Sequence, residues 1–214
     1  MRRIARSSAG GSSADCRPAS EARTSGTAAS LAGLQSAEEP PAEDLAIRRI
    51  LLLYGVVFSY GGLPLIWMGD ELGLRDDTAY LEDPARAHDN RWMHRPVMDW
   101  EAAARRADPA SVEGRLWAGI RRLVEARTAA RALHAAGAAE TLWTGNEHVL
   151  GYVRRHAGDA LLCLANFTAG PAPVALETAQ GFTLDAPMPD DRPLRVEGDF
   201  LVLAPYQLTW LRAA

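Results

Sequence analysis

The chain has 214 residues, 48% of them hydrophobic, so it is long enough for one or two domains with a substantial core. Its mild net charge of -4 argues against a nucleic-acid surface. No apolar stretch is long enough to span a membrane, and the basic start of the chain is not followed by the apolar core of a secretory signal. We therefore expect neither nucleic acid nor membrane as a partner.

The cysteine and histidine content predicts no redox or metal chemistry. Cys16 and Cys163 could form one disulfide, but Cys163 lies in the apolar run Leu161–Ala165, where a reduced buried thiol is favoured. This usage predicts a cytoplasmic location. The five histidines show no metal-site spacing, and no glycine-rich loop indicates a phosphate site, so we expect no metal and no cofactor.

The first part of the chain is predicted to contain an irregular segment, then a helix and then a strand. Residues 1–42 are rich in Ser, Ala, Gly and Pro without a sustained period, which predicts a loop or disordered segment. From Glu43 to Tyr60 apolar residues recur at helical spacing and then surround the helix, which predicts burial on more than one side. The run Leu63–Met68, bounded by glycines and containing a proline, predicts a buried strand of the kind found in parallel sheets.

A long irregular segment and a second helix follow this strand. Gly69, Asp70 and Glu71 place carboxylates at the carboxyl end of the predicted strand, where α/β barrels have their sites. The segment from Leu74 to about Asp108 is long for a connection inside a compact domain, which indicates a functional loop. Asp108 and a proline after it predict the start of the next helix. We expect residues 43–131 to form the last strand and helices of a barrel, with a long loop after the strand.

Residues 135–214 change to short strands separated by turns, and they predict a small antiparallel β-sandwich domain. The default for the aromatic residues of this domain is core packing. The candidate strands are Thr141–Trp143, His148–Arg155, Ala160–Phe167, Ala172–Leu176, Phe200–Leu203 and Gln207–Leu211.

Three stretches carry a resemblance to a known family. Gly61–Gly73 resembles the eighth barrel strand of the α-amylase family of glycoside hydrolases, which has G-x-P-x-x-x-x-G-x-E there. Ser25-Gly-Thr and Arg91-Trp-Met-His-Arg-Pro96 resemble segments of the amylosucrases, sucrose-using transglucosidases of that family. The resemblance covers roughly Arg23 to Leu211. It implies an α/β fold: the C-terminal part of a TIM-type (β/α)8 barrel followed by the β-sandwich, with an N-terminal barrel part missing from this chain.

The resemblance also implies two substrate-binding residues. Arg91 would close the floor of a glucose pocket by pairing with an aspartate upstream of this chain, and Arg23 would line the acceptor side. A guanidinium suits the first role because its planar fork binds a carboxylate through two bonds and stays charged when partly buried. The alternatives are an Arg–Trp pair stacked on the surface at Arg91 and a surface arginine at Arg23.

The catalytic residues themselves are not expected in this chain. Retaining glucosyl transfer needs two carboxyl groups about 5 Å apart. Asp70 and Glu71 are neighbours in sequence, so on a strand their side chains would point to opposite faces. The resemblance places the catalytic acids on earlier strands. Asp70 and Glu71 would instead brace the rim of the site, and Trp92 could stack on a sugar ring.

We therefore predict that the chain is the C-terminal portion of a sucrose-using α-glucosyltransferase or glycoside hydrolase with a retaining mechanism. It would be inactive alone and would bind sucrose and α-glucan only as part of the parent enzyme. Two alternatives remain open. One is a fragment of an α-amylase, an α-glucosidase or a trehalose synthase. The other is a non-catalytic β-module that binds glucan.

Overall fold

The computed structural model describes residues 25–185, 188–189 and 192–214. The chain divides into two compact units, with two of the three divisions inside helices and the third between Ile66 and Trp67. We call the described part of residues 1–47 with 67–115 the loop unit, and residues 48–66 with 116–214 the sheet unit. None of the helices in the described residues is long and apolar enough to cross a membrane.

Four α-helices precede the strands. They are α1 (Ala28–Leu31), α2 (Pro40–Tyr60), α3 (Trp100–Ala104) and α4 (Val112–Ala129). The helix predicted from Glu43 to Tyr60 is present and begins three residues earlier, at a proline, which suits the first turn because it has no N–H to leave unbonded. The predicted start of α4 at Asp108 is wrong. Ser111 caps this helix instead, since its Oγ accepts the N–H of Gly114 at 3.0 Å.

The sheet unit holds two antiparallel sheets. The larger has the strand order β1-β2-β3-β8-β5 and the smaller β4-β7-β6. The strands are β1 (Ala138–Leu142), β2 (Val149–His156), β3 (Asp159–Asn166), β4 (Ala172–Ala175), β5 (Met188–Pro189), β6 (Arg195–Glu197), β7 (Phe200–Leu203) and β8 (Leu208–Arg212). All strand pairs within the described residues are antiparallel, as the sequence predicted for this region.

One apolar core joins the two sheets. The larger sheet contributes side chains of alternating residues that face the smaller sheet, and these bury together to form the sandwich. The fully or nearly fully buried members are Val149, Val153, Leu162, Leu164 and Leu211 from the larger sheet and Ala172, Val174, Leu201 and Leu203 from the smaller one.

The opposite face of the larger sheet packs against the second half of α2. A Cβ added to Gly55 would lie 2.0 Å from a methyl of Leu208, so only glycine allows this helix to approach β8 so closely. Four residues later the Ser59 hydroxyl lies 2.6 Å from the Tyr152 hydroxyl of β2. The larger sheet is therefore a central layer, covered by a sheet on one face and a helix on the other.

Two arginines bind the carbonyl groups at the end of α2. Arg127 of α4 donates to the carbonyl oxygens of Phe58 and Gly62, the latter at 2.9 Å. Arg154 of β2 donates to the carbonyl oxygen of Ser59 at 2.5 Å. A helix end leaves carbonyls without partners inside the helix and carries partial negative charge, so two guanidinium groups suit it. They fix the point at which the chain leaves the helix.

The predicted strand Leu63–Met68 is wrong. The chain is extended here but is assigned to no strand, and Leu63 and Leu65 are 87% and 68% exposed. No strand of the described residues lies beside this segment, so its backbone has no ladder to join, and Pro64 lacks a donor. An apolar run becomes a buried strand only where neighbouring strands and covering layers exist.

Candidate functional site

The turn after the extended segment is held by its own atoms. Gly69 and Gly73 have positive φ of 93° and 70° and bracket a 3₁₀ turn, Asp70–Leu72. The Glu71 carboxylate accepts the N–H of Gly69 at 2.9 Å, and Asp70 is buried, with 8% exposure. A Cβ at Gly69 would lie 2.5 Å from Leu74, so the turn admits only glycine there. Both acids are built into this turn, and their role at a barrel rim stays a prediction.

The Ser25-Gly-Thr stretch lies against the beginning of the long loop. The N–H of Thr27 donates to Asp76 Oδ1 at 2.7 Å. The N–H of Asp76 in turn reaches Ser30 Oγ at 3.1 Å and Gln35 Oε1 at 3.0 Å. A single aspartate therefore ties the start of α1 to the loop through both its side chain and its main chain.

A second contact joins the same stretch to the later part of the loop. Asn90 Nδ2 donates to Ser25 Oγ at 3.1 Å. The Ser25-Gly-Thr stretch is thus brought against Asn90, the residue before the Arg91–Pro96 stretch, although more than sixty residues separate them. We call Ser25–Thr27, Asp76 and Asp89–Trp92 the loop cluster, and we take it as the candidate site.

Arg91 in the loop cluster binds a carboxylate, but a near neighbour. Its Nε lies 2.8 and 2.9 Å from Asp89 Oδ1 and Oδ2, and its Nη2 lies 2.6 Å from Oδ2. This hydrogen bonding to Arg91 holds the pKa of the Asp89 carboxyl well below its usual range, and it raises the pKa of Arg91. The Arg91 side chain is 66% exposed, so in this chain it is not enclosed in a pocket. Its role at a pocket floor stays a prediction.

The rest of the long loop is ordered by aromatic and main-chain contacts. The guanidinium of Arg86 lies 4.6 Å from the ring centre of Trp92, a cation–π contact on a ring that is 36% exposed. Trp67 Nε1 donates to the carbonyl oxygen of His94 at 3.2 Å, and the N–H of Asp77 donates to that of Met93 at 2.9 Å. The Arg–Trp stack of this loop is therefore made by Arg86, whereas the sequence left such a stack open at Arg91.

Two expectations concern chemistry outside the loop cluster. Arg23, predicted on the acceptor side, lies outside the described residues. Within the part of the chain that the structure describes, no group of three or more His, Cys, Asp and Glu side chains could hold a metal ion.

A buried polar cluster in the sheet unit was missed by the sequence analysis. Arg154 is fully buried, and besides Ser59 it donates to the carbonyl oxygens of His134 at 2.8 Å, Gly137 at 3.1 Å and Ala138 at 3.1 Å. Burial lowers the pKa of Arg154. The available signal was the alternation of side chains along a strand. Tyr152 and Arg154 are two residues apart on β2, so both point to the face that the helix covers.

Cys163 belongs to the same cluster. It is buried and free, as predicted, and burial raises the pKa of its thiol to about 12, although the Ser59 and Tyr152 hydroxyls beside it act in the other direction. Burial also raises the pKa of Tyr152. A thiol held protonated in this way is a poor nucleophile, so Cys163 is a packing residue.

A cavity of about 230 Å³ lies in the sheet unit. It is lined by the end of α4, the β2–β3 turn and the end of β8, and its charged residues are Arg131, Asp159 and Arg212. A single carboxylate among them does not provide the acid pair that retaining glycosyl transfer needs.

Comparison with known proteins gives a family for part of the chain. Residues 146–211 match the family described as the D-apionate lactonase, C-terminal immunoglobulin-like domain. The match covers the sandwich from the turn before β2 to β8, less than a third of the chain. It agrees with two packed antiparallel sheets.

Solved structures match a larger part. A trehalulose synthase MutB mutant aligns with TM-score 0.56 and 19% identity over 78% of this chain and 38% of that chain. MutB from Pseudomonas mesoacidophila MX-45 in a monoclinic form gives TM-score 0.54, 19% identity and the same coverage. A MutB mutant in complex with the substrate sucrose gives 0.54 and 20% over 77% and 38%.

These likenesses are likenesses of fold. The chain spans well under half the length of the enzymes it matches, and the matched region is their C-terminal part. It is therefore a mixed α/β chain whose antiparallel C-terminal domain and preceding helices share the architecture of that region.

Proposed function

We propose that this chain is the C-terminal portion of a sucrose-using enzyme of the α-amylase family. The parent enzyme would transfer or hydrolyse α-glucosyl groups with retention, in the manner of an amylosucrase, in the cytoplasm. The fold shared with trehalulose synthase MutB, one structure of which contains the substrate sucrose, supports the sucrose-acting class. The chain would contribute the last strand and helices of a TIM-type barrel and the sandwich behind them.

The loop cluster is the observation on which the proposal rests most. The Ser25-Gly-Thr stretch, chosen for its resemblance, is tied to the start of the long loop by Asp76 at 2.7 Å, and Asn90, next to Arg91, bonds it at 3.1 Å. Substrate-binding residues commonly lie on loops held by a rigid scaffold. The cluster would form one wall of the glucosyl pocket, with Trp92 at its edge and Arg23 toward the acceptor.

Arg91 would take the central role in that wall. Its pair with Asp89 uses Nε and Nη2, and the pair is exposed, so its net contribution to stability is small. A second carboxylate, supplied by the rest of the parent enzyme, can share the guanidinium without a large penalty. Arg91 would then limit the depth of the pocket to one glucosyl unit.

The two carboxyl groups of the retaining mechanism would lie outside this chain. One forms a covalent bond to the anomeric carbon as fructose leaves with a proton from the other, and an acceptor hydroxyl or water then breaks that bond. Asp70 and Glu71 would support the rim, since both are already committed to the Gly69–Gly73 turn.

Fructose release from sucrose tests the proposal. The 214-residue chain should release none, whereas the chain produced together with the polypeptide encoded in frame upstream of Met1 should turn over sucrose. In that longer enzyme Arg91→Lys should lower kcat/KM by about 10–100-fold, because lysine keeps the charge and loses the fork.

The matched control is Arg106→Lys, an exposed arginine of the loop unit outside the loop cluster and the resembling stretches, which should leave kcat/KM within about twofold. Steady release of fructose by the 214-residue chain alone would overturn the proposal, and so would a longer enzyme that is indifferent to Arg91→Lys. Maltose or trehalose as the preferred substrate of the longer enzyme would favour an α-glucosidase, an α-amylase or a trehalose synthase instead.

A further inference from the structure

Trp143, Phe167 and Phe200 of the sandwich are exposed where the sequence predicted core packing, and the first two follow strands of the larger sheet. Trp143, just after β1, is 74% exposed, and Phe167, just after β3, is 43% exposed. Tyr152 and Trp210 in the same sheet are fully buried, in agreement with the prediction. Large planar apolar side chains that a folded domain leaves in solvent mark surfaces for contact with other molecules.

The strand register places both rings on one face of the larger sheet. Leu142 pairs with Gly151, so Trp143 comes opposite Leu150. Phe167 comes opposite His148, whose carbonyl oxygen accepts the Phe167 N–H at 3.0 Å. Leu150 and His148 are two residues apart on the same chain, so they share a face, and their partners share it with them. With one strand between them and a two-residue offset, the Cα atoms of the two residues lie roughly 10–12 Å apart.

The loop that carries Trp143 is rigid. Thr144, the next residue, is buried, and its hydroxyl lies 3.0 Å from the Val149 carbonyl oxygen. Asn146 Oδ1 accepts the N–H of His148 at 3.0 Å, and Nδ2 donates to the Pro173 carbonyl oxygen at 2.9 Å. Trp143 is therefore held in solvent by a backbone that cannot collapse to hide it.

Phe167 is held in the same way. The residue before it, Asn166, is fully buried and donates through Nδ2 to the carbonyl oxygens of Gly170 and Ala204, both at 2.8 Å. Its Oδ1 accepts the N–H of Thr168 at 2.9 Å. Both aromatic residues thus stand beside a buried, hydrogen-bonded neighbour, which reduces the entropy that a ligand would have to remove.

The surroundings of the two rings are polar. Glu147 and His148 come just before β2, the strand that separates β1 from β3. The Glu147 side chain is 81% exposed and the His148 side chain 60%, and their charged atoms lie 3.7 Å apart. An aliphatic partner or a membrane would leave these groups without water or hydrogen bonds. A sugar chain satisfies both features, because a pyranose ring has an apolar face that stacks on an aromatic ring and a rim of hydroxyl groups that binds carboxylate and imidazole.

We propose that Trp143 and Phe167 form a carbohydrate-binding platform that takes a linear oligosaccharide across two separate rings. Their separation requires a chain longer than a single sugar ring. The choice of an α-glucan rests on the proposed function, whereas the platform itself follows from the exposure, register and rigidity of the two residues. The platform lies in the sheet unit and is formed without any residue of the loop cluster.

Titration of the 214-residue chain with maltoheptaose, followed by calorimetry or tryptophan fluorescence, tests the platform. We expect binding that Trp143→Ala weakens by about tenfold or more and Phe167→Ala by about three- to tenfold. Glucose should bind at least tenfold more weakly than maltoheptaose. Trp143→Tyr, which keeps a planar ring, should retain most of the affinity.

Trp100→Ala is the matched control, since Trp100 is 77% exposed but lies in the loop unit. It should leave the affinity unchanged, and all variants should keep the parent Tm because the replaced rings are exposed. Binding of neither maltoheptaose nor cellohexaose, equal binding by the Trp143→Ala chain, or an equal loss in Trp100→Ala would overturn the platform. Preference for cellohexaose would keep the platform and contradict the α-glucan ligand. Because binding needs no turnover, a failed sucrose assay and a failed titration are separate results.

Discussion

Two apolar runs of the sheet unit differ in burial, one being buried in a strand and the other exposed. Leu161–Ala165 becomes the middle of β3, where Leu162 and Leu164 are fully buried, whereas Leu63 and Leu65 remain 87% and 68% exposed. Hydrophobicity does not separate them. What separates them is that β3 has β2 and β8 on its two edges and covering layers on both faces, while no strand of the described residues flanks Leu63–Ile66. Neighbours, rather than composition, decide whether an apolar run is buried.

The largest effect should come from the residue that connects the two runs. Arg154 lies on β2 beside β3 and binds the end of the helix that leads into Leu63–Ile66. Arg154→Met removes its donors and leaves four carbonyl oxygens near a dry interior. We expect a loss of about 3–5 kcal/mol in the free energy of unfolding, measured by urea denaturation.

Arg155→Met provides the control for this change. Arg155 is the next residue on the strand, its side chain is 55% exposed, and it lies 3.8 Å from Glu140. We expect a change within about 0.5 kcal/mol. Similar losses for the two variants would mean that the buried contacts of Arg154 do not hold the helix end.

A matched pair of leucine truncations should give the next largest effect. Leu164→Ala removes a fully buried side chain from the sandwich core and should cost about 2–5 kcal/mol. Leu65→Ala changes the same atoms in solvent and should cost less than about 0.5 kcal/mol. If Leu65→Ala destabilised the chain as much as Leu164→Ala, the exposed state of Leu63–Ile66 would be wrong.

The smallest effect is a pH dependence that begins at Cys163 of β3. The folded pKa of Cys163 is raised from 9.0 to about 12, so between these values the unfolded thiol loses its proton while the folded thiol keeps it. Stability should therefore be constant below about pH 9 and fall above it by up to about 1.4 kcal/mol per pH unit. The measurement is thermal unfolding between pH 7 and 11.

Cys163→Ala should remove that slope. Tyr152, whose pKa is also raised by burial, should retain a weaker slope of the same sign at higher pH. If the parent chain and Cys163→Ala lost stability equally between pH 9 and 11, the thiol would not be held protonated in the folded chain.

The sequence predicts those parts of the fold that depend on local pattern. The period of apolar residues located α2, and alternation with turns located six of the strands and their antiparallel sandwich. It missed β5 and β6, which are only two and three residues long and have exposed or half-buried side chains. It also failed at Leu63–Met68, because a local pattern does not report whether a neighbouring strand is present.

The site residues named by the resemblance stay predictions. The Ser25-Gly-Thr stretch does lie against Asn90, the neighbour of Arg91, in the loop cluster. The sequence could not indicate that Asp76 ties this stretch to the start of the loop, or that Asp89 rather than a distant carboxylate holds Arg91, because both depend on contacts set by the folded loop. Arg154 was missed because its partners are main-chain atoms, which carry no sequence signal.

That last property affects how the protein can vary. The four oxygens that Arg154 binds belong to the peptide backbone, so replacing the side chains at Ser59, His134 or Ala138 leaves the acceptors themselves in place, whereas a Cβ at Gly137 would lie 3.0 Å from Arg154 Nη2. None of them can be neutralised by acid, unlike the carboxylate that holds Arg91. The acceptor atoms of this junction between helix and sheet are thus insensitive to side-chain replacement and to low pH. The donors to them all belong to one residue, Arg154.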